Sequence, residues 1–553
     1  MLKENIRKYA LENAVRHDGK AVLGSIIGKL INEDPNIKNK LKEISKEIQS
    51  IINEVNKLSL EKQTDELKKI APELLEKREK QEIKLKELSN VSGKVIMRIA
   101  PFPSGPLHIG NARTIILNDE YCKKYKGKLL LIMDDTIGSE EKPIVKEAYK
   151  LIPEGLDFLE VKYDKNIIYK SDRLEIYYKY AEELINKNKA YVCSCSSEEL
   201  RENRKNEKDC KCRSQSVTEN LKKWKLMFDK KTKEGSFTLR IKTSMQDKNP
   251  AFRDRVIARI SEREHPRVGK KYRVWPLLDF SWAIDDHLLN VTHVIRGKDL
   301  MIESDMEKYI WDIFKWKHAE LIHNGLLQLE GVKISKSKAQ KEVKSGEYFG
   351  WDDPRTWSLQ SLKRRGIKAE AIRTFLLQFG LNQNEVTAPI DGLYSENRKL
   401  IEKEADRYFF IENPKKIKIK NIPKSIKEAK APLHPDLKKG FRILKINDEF
   451  YVSDLIEKNK TYRFMHLFNF KNNEFVSEEY EQGLNAKMIH WLPVSKDLVN
   501  IEVLMPDGSV KKGLGEVDIK NVKENSVIQL ERFAFCKLDK KEKNKLVFWY
   551  THN

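Results

Sequence analysis

One stretch near the first fifth of the chain restricts the fold more than any other. Lys94 to Ile99 reads as a short buried strand that runs into the loop Ala100 to Gly110, and a helix is predicted from about Asn111 to Lys124. Lys128 to Met133 is a second strand, apolar on both faces. Two such strands joined through one helix form a β-loop-α-β unit. Parallel neighbours need a crossover, and both faces of their sheet need cover, so this unit opens a doubly wound, Rossmann-like parallel sheet.

The remainder sets a multidomain α/β organisation, since 553 residues exceed what one core supports. Residues 1–90 read as a helical N-terminal appendage, with Leu41, Ile44, Ile48, Ile51, Ile52 and Val55 at three- and four-residue steps and a second charged helix reaching about Leu88. Residues 91–190 form the first half of the parallel-sheet domain. Residues 191–272, with cysteines and polar turns, read as an insertion, and 273–340 as the second half, with sheet-like patterning resuming at Val274 to Ile284. Helices are expected over 341–412. Short alternating strands and turns such as Pro506-Asp507-Gly508 make 413–553 all-β barrels, with lysine-rich Lys415 to Lys430 as a linker or exposed loop.

The net charge is +22, which favours polyanionic partners without naming one. The first 90 residues hold 19 basic and 16 acidic residues, so +19 of the excess lies beyond them. No apolar run approaches the roughly 20 residues of a membrane span, and neither an apolar h-region nor a cleavage site follows Met1. The reading is a cytoplasmic protein without a membrane partner.

Three motifs carry chemistry. Pro103-Ser104-Gly105 and then His108-Ile109-Gly110-Asn111 at a helix start place unpaired N–H groups and an imidazole where a phosphate chain can lie, with Gly105 and Gly110 leaving room for a nucleotide. The plain alternative is a proline-stiffened turn with a capping histidine. Lys333-Ile334-Ser335-Lys336-Ser337 could fold over a triphosphate and neutralise a leaving pyrophosphate, or be a solvated basic loop. Cys193, Cys195, Cys210 and Cys212 supply four thiolates, the ligand count of tetrahedral structural zinc; four reduced cysteines without a metal are the alternative.

Together these motifs resemble class I aminoacyl-tRNA synthetases. His108 to Asn111 and Lys333 to Ser337 stand in for that class's HIGH and KMSKS signatures. Arg98 to Gly110, Asp134-Asp135-Thr136, Asp285-Asp286-His287, Val291 to Gly297, Gly350 to Arg355 and Leu359 to Ile367 resemble the glutamyl/glutaminyl subclass, over residues 91–553. The β texture of the last 140 residues is similar to the archaeal-type glutamyl enzymes. The resemblance implies ATP and Mg²⁺ as cofactors, L-glutamate and tRNA-Glu as substrates, tRNA-dependent activation, an acceptor-binding insertion and anticodon-binding barrels.

On that resemblance His108, Asn111, Lys333 and Lys336 are the catalytic set. ATP meets Pro103, Ser104, Gly105, His108, Gly110, Asn111, Lys333, Ser335 and Lys336. Glutamate meets Arg98, Ser104, Asp134, Leu278 and Arg296. Two arginines suit a dicarboxylate better than an amide. Arg296 could instead pair with Asp299 at a strand end, and the Asp134-Asp135 pair could merely cap the next element. The sequence departs from the family pattern at Asn111 (the second histidine), Ile132 (an arginine) and Leu278 (a tyrosine). The alternatives are a glutaminyl-tRNA synthetase and a non-catalytic tRNA-binding paralogue. The chain is read as a monomer. Charging of tRNA-Gln, and docking of RNA or a protein on the N-terminal arm, stay open.

Overall fold

Five parallel strands lie in the order β3-β2-β1-β4-β5. They are β1 (Ile96–Ile99), β2 (Lys128–Met133), β3 (Ile168–Tyr169), β4 (His293–Gly297) and β5 (Glu320–Asn324). Helix α1 (Ile109–Lys124) joins β1 to β2 and buries Ile115, Ile116, Leu117 and Tyr121 in the same core as Met97, Ile99, Leu129, Leu131 and Met133. The strand order reverses between β1 and β4. That switch point is where an open α/β sheet leaves a crevice at the carboxyl ends of its strands.

The computed structural model describes residues 2–16, 19–21, 23–33, 37–75, 85–137, 143–332 and 336–553. The chain divides into two units, Met1–Lys84 and Leu85–Asn553. In the first, helices Leu2–Arg16, Leu23–Glu33, Ile37–Val55 and Leu60–Ile70 close on a core that includes Ile6, Leu11, Ile26, Ile48, Ile52 and Leu67. Ser59 caps the fourth helix by accepting from the Lys62 N–H. The charged helix expected to reach Leu88 falls mostly on 76–84, outside the described residues, and Leu85 to Leu88 is not helical.

Between β3 and β4 an antiparallel sheet of Ala190–Cys193, Thr238–Ile241, Val256–Ile260 and Val274–Pro276 is inserted. Here the structure corrects the sequence reading. Val274–Pro276 closes this inserted sheet instead of resuming the parallel one, and helix α2 (Leu278–Leu288) follows. A run of apolar residues buried on all sides has no periodicity to separate helix from strand. Helix α3 (Met301–Phe314) packs on α2 and leads into β5.

From Arg407 the chain is β-rich. A seven-stranded sheet encloses Ile501, Val503, Leu530, Leu538 and Phe548, and smaller sheets enclose Phe409, Phe450, Phe464, Phe468 and Trp491. The stretch expected as linker holds two strands, Lys415–Lys418 and Glu428–Pro432. In the second, Ala429 and Ala431 face inward while Glu428 and Lys430 face solvent, a charged outer face that low apolar content disguises. Among the described residues no helix is long and apolar enough to cross a membrane.

Candidate active site

The loop after β1 is held from two directions. His108 is the N-cap of α1, and its backbone N–H donates to Asn111 Oδ1 at 3.3 Å. Asn111 thus fills the third-position role of a capping box, committing its oxygen to the helix and leaving its amide nitrogen as a donor. From the other side, the Ile109 N–H donates to the Trp357 carbonyl (3.3 Å) and the Leu359 N–H to the Leu107 carbonyl (2.9 Å). Pro103 is buried and its carbonyl accepts from the Val145 N–H, while Ser104, His108, Gly110 and Asn111 are half-buried along the loop. Gly105 does not stand open for a nucleotide as expected. Its φ is +150°, and a Cβ there would lie 2.9 Å from the Trp351 ring, so the indole fills the space.

Asp134 follows β2 directly and is fully buried. Lys170 Nζ, also buried, sits 3.0 Å from Asp134 Oδ1 but off the axis of a hydrogen bond, and both Asp134 oxygens lack a hydrogen-bond partner. Burial pushes this carboxyl up, opposed by the charges of Lys170 and Arg98. Asp135 differs. It accepts from the Ser171 N–H (2.8 Å), the Ser171 hydroxyl (2.7 Å) and the Tyr149 hydroxyl (3.0 Å). Of the pair, Asp135 does the structural capping and Asp134 keeps its lone pairs.

Arg98 on β1 and Arg296 on β4 are both buried. Arg98 donates from Nε and Nη2 to the two oxygens of Asp286, at 2.6 and 2.9 Å. Arg296 pairs with Glu307 (Nη1 to Oε1, 2.6 Å), not with Asp299, and its Nε and Nη2 are buried without a partner. Trp282 lies between these cations, its ring 4.7 Å from the Arg98 guanidinium, 5.2 Å from that of Arg296 and 5.3 Å from Lys170 Nζ. Leu278, half-buried, sits one turn before Trp282 on α2.

Sequence reasoning missed Lys170, Trp282 and Glu307. Asp286 entered only as part of a motif. Nothing local marks a lysine whose Nζ donates to Ser281 Oγ at 2.7 Å across 111 positions. Lys333 and Ser335 lie outside the described residues, and Lys336 opens the helix Lys336–Ser345.

The four cysteines converge, their Sγ atoms all within 4.8 Å of one another. Cys193 and Cys210 Sγ are 3.8 Å apart, close to the sulfur–sulfur edge of about 3.8 Å implied by a tetrahedron with Zn–S bonds near 2.3 Å. Arg240 Nη1 approaches Cys210 Sγ (3.6 Å) and Cys193 Sγ (3.8 Å). A hydrogen bond from Cys193, helped by one from the Tyr191 hydroxyl and by the Arg240 charge, pulls the Cys210 thiol down.

At the carboxyl ends of β1, β2 and β4 the structure thus places a helix N-terminus, two buried arginines and a carboxylate that is ion-paired with Lys170 but accepts no hydrogen bond. Residues 94–403 match the family described as tRNA synthetases class I (E and Q), catalytic domain, and residues 405–488 and 488–539 match two anticodon-binding domain families of the same enzymes. The chain belongs to the class I E and Q tRNA synthetases. It is 43% identical to a glutamate–tRNA ligase of Methanocaldococcus jannaschii, covering 100% of both chains. It is 43% identical to that of Pyrococcus furiosus over 99% of this chain and 98% of the relative. Against that of Methanothermobacter marburgensis the figures are 40% and 100% of both.

Proposed function

We propose that this protein ligates L-glutamate to the 3′ end of tRNA-Glu at the expense of ATP, in the cytoplasm. The observation that carries the reading is the pair of buried, oppositely charged groups left without hydrogen bonds, the Asp134 carboxylate and the Nε–Nη2 edge of Arg296. Each charge has one counter-ion, Lys170 for Asp134 and Glu307 for Arg296, but buried acceptors and donors left without hydrogen bonds are costly unless a ligand completes them. An α-ammonium completes Asp134 and a side-chain carboxylate completes Arg296, with Nη1 of Arg98 as a second donor. Glutamine carries no side-chain charge to match.

The substrate α-carboxylate attacks the α-phosphorus of ATP in line, forming the P–O bond of glutamyl-adenylate as the bond to pyrophosphate breaks. The N-terminus of α1 and the His108 imidazole bind the phosphates and stabilise charge on the transferring group. Lys336 and Lys333 act on the leaving pyrophosphate, and Mg²⁺ bound to ATP would supply further neutralisation of the phosphate charge. The terminal ribose hydroxyl of tRNA then attacks the adenylate carbonyl, AMP leaves, and its phosphate takes the proton.

Cys193, Cys195, Cys210 and Cys212 would hold one zinc, and with four protein thiolates it would serve structure rather than chemistry. Charging of tRNA transcripts with labelled glutamate tests the function. Glutamyl-tRNA is expected; charging with glutamine in its place would reject it.

A further inference from the structure

Arg98 and Arg296 lie on adjacent strands, and each is held by one buried carboxylate from the helix pair α2 and α3. The two clamps are not equivalent. Asp286 takes both Nε and Nη2 of Arg98, so that clamp is complete. Glu307, fully buried in the middle of α3, takes only Nη1 of Arg296. Glu307 Oε2, Arg296 Nε and Arg296 Nη2 are all buried with no partner. An arginine–carboxylate pair with room for two parallel bonds makes one.

We propose that Glu307 is a positioning residue that sets amino-acid specificity. By gripping Arg296 at Nη1 alone, it presents the Nε–Nη2 edge to the side-chain carboxylate of the substrate. This rests on the assignment of Arg296 to that carboxylate. The Nε–Nη2 edge offers two parallel N–H donors, which match two carboxylate oxygens. A glutamine amide offers one acceptor and one donor, so one Arg296 N–H would face another N–H. That discrimination holds only while the guanidinium cannot turn. Trp282 limits it on one face, with the Arg296 Cζ 5.2 Å from the ring centroid. Glu307 fixes rotation in the plane. Without Glu307, Arg296 can turn and offer a single N–H, which either side chain accepts.

The test is steady-state charging of tRNA with glutamate and with glutamine by Glu307→Gln, Glu307→Leu and Glu307→Asp, each alone and in an Arg296→Cys background, with thermal melts as a folding control. Glu307→Gln keeps an oxygen acceptor and is expected to stay within about threefold of the parent in KM and preference. Glu307→Leu and the shortened Glu307→Asp are expected to raise the glutamate KM about tenfold or more with kcat within about threefold, and to erode preference for glutamate. In the Arg296→Cys background these changes should vanish, because a residue acting through Arg296 has nothing left to position. An unchanged KM in a folded Glu307→Leu or Glu307→Asp variant would overturn the proposal, as would an equal effect with and without Arg296. If Arg296→Cys itself leaves preference unchanged, the assignment of Arg296 fails. If it alters preference while the Glu307 variants do not, only the role of Glu307 fails.

Discussion

At the scale of single residues, the account turns on which buried charged groups already have their hydrogen bonds made within the protein. Asp135, Asp285 and Asp286 are saturated, Asp285 by Arg173 Nε (2.8 Å) and the Tyr177 hydroxyl (2.7 Å). Asp134 and Arg296 are not. Arg296→Cys should therefore lower kcat/KM for glutamate on the order of 100-fold, about 3 kcal/mol for two charge-assisted hydrogen bonds, and move preference towards glutamine. Comparing kcat/KM for the two amino acids checks this, and an unchanged ratio contradicts it. Arg98, Asp134 and Arg296 could be singled out as candidates from the sequence because each sits at or next to a strand in a recognisable motif. Lys170 and Glu307 could not. Lys170 reads as one lysine among many in a lysine-rich chain, and Glu307 as one more acid on the helix Met301–Phe314; only tertiary packing buries them.

At the scale of elements, the β-loop-α-β start was legible because β2 is apolar on both faces and the loop's prolines and glycines punctuate it. The Val274 to Ile284 stretch was misread because a buried strand and a buried helix share that composition. The cysteine spacing anticipated convergence, which the inserted sheet brings about by setting Cys193 at a strand end beside the turn bearing Cys210 and Cys212. Elemental analysis should find one zinc per chain. Its removal by a chelator should lower the melting temperature and weaken tRNA charging, and a metal-free protein of equal stability would refute the zinc assignment. In the C-terminal region Glu516 is buried, its Oε2 accepting from the Phe409 N–H at 2.9 Å and its Oε1 3.4 Å from Arg442 Nε. Burial raises its carboxyl to about 7, with Arg442 opposing. The folded state therefore holds a proton that the unfolded chain has released between about pH 4.5 and 7, and stability from this group falls as pH rises through that window. The advantage of Glu516→Gln over the parent in urea unfolding should grow by about 3 kcal/mol from pH 4.5 to pH 8. A pH-independent difference contradicts this.

At the scale of the whole molecule, the +19 beyond residue 90 falls in the part that matches the catalytic and anticodon-binding families. A surface that neutralises phosphates releases counterions, so tRNA affinity should fall steeply and log-linearly with salt, which filter binding from about 50 to 200 mM salt measures. A flat response would mean the charge serves another purpose. The change to an all-β C-terminal region was legible from texture, because short alternating strands with turn signals replace the helix-rich pattern there. The linker was misread because the strands of this region expose lysine on one face, which lowers their apolar content to that of a loop. The central claim is that the groups at the ends of β1, β2 and β4 select glutamate. ATP–pyrophosphate exchange measured with tRNA present tests it most directly. The account predicts exchange that depends on glutamate, is lost without tRNA and is far weaker with glutamine; exchange equal or stronger with glutamine would contradict it.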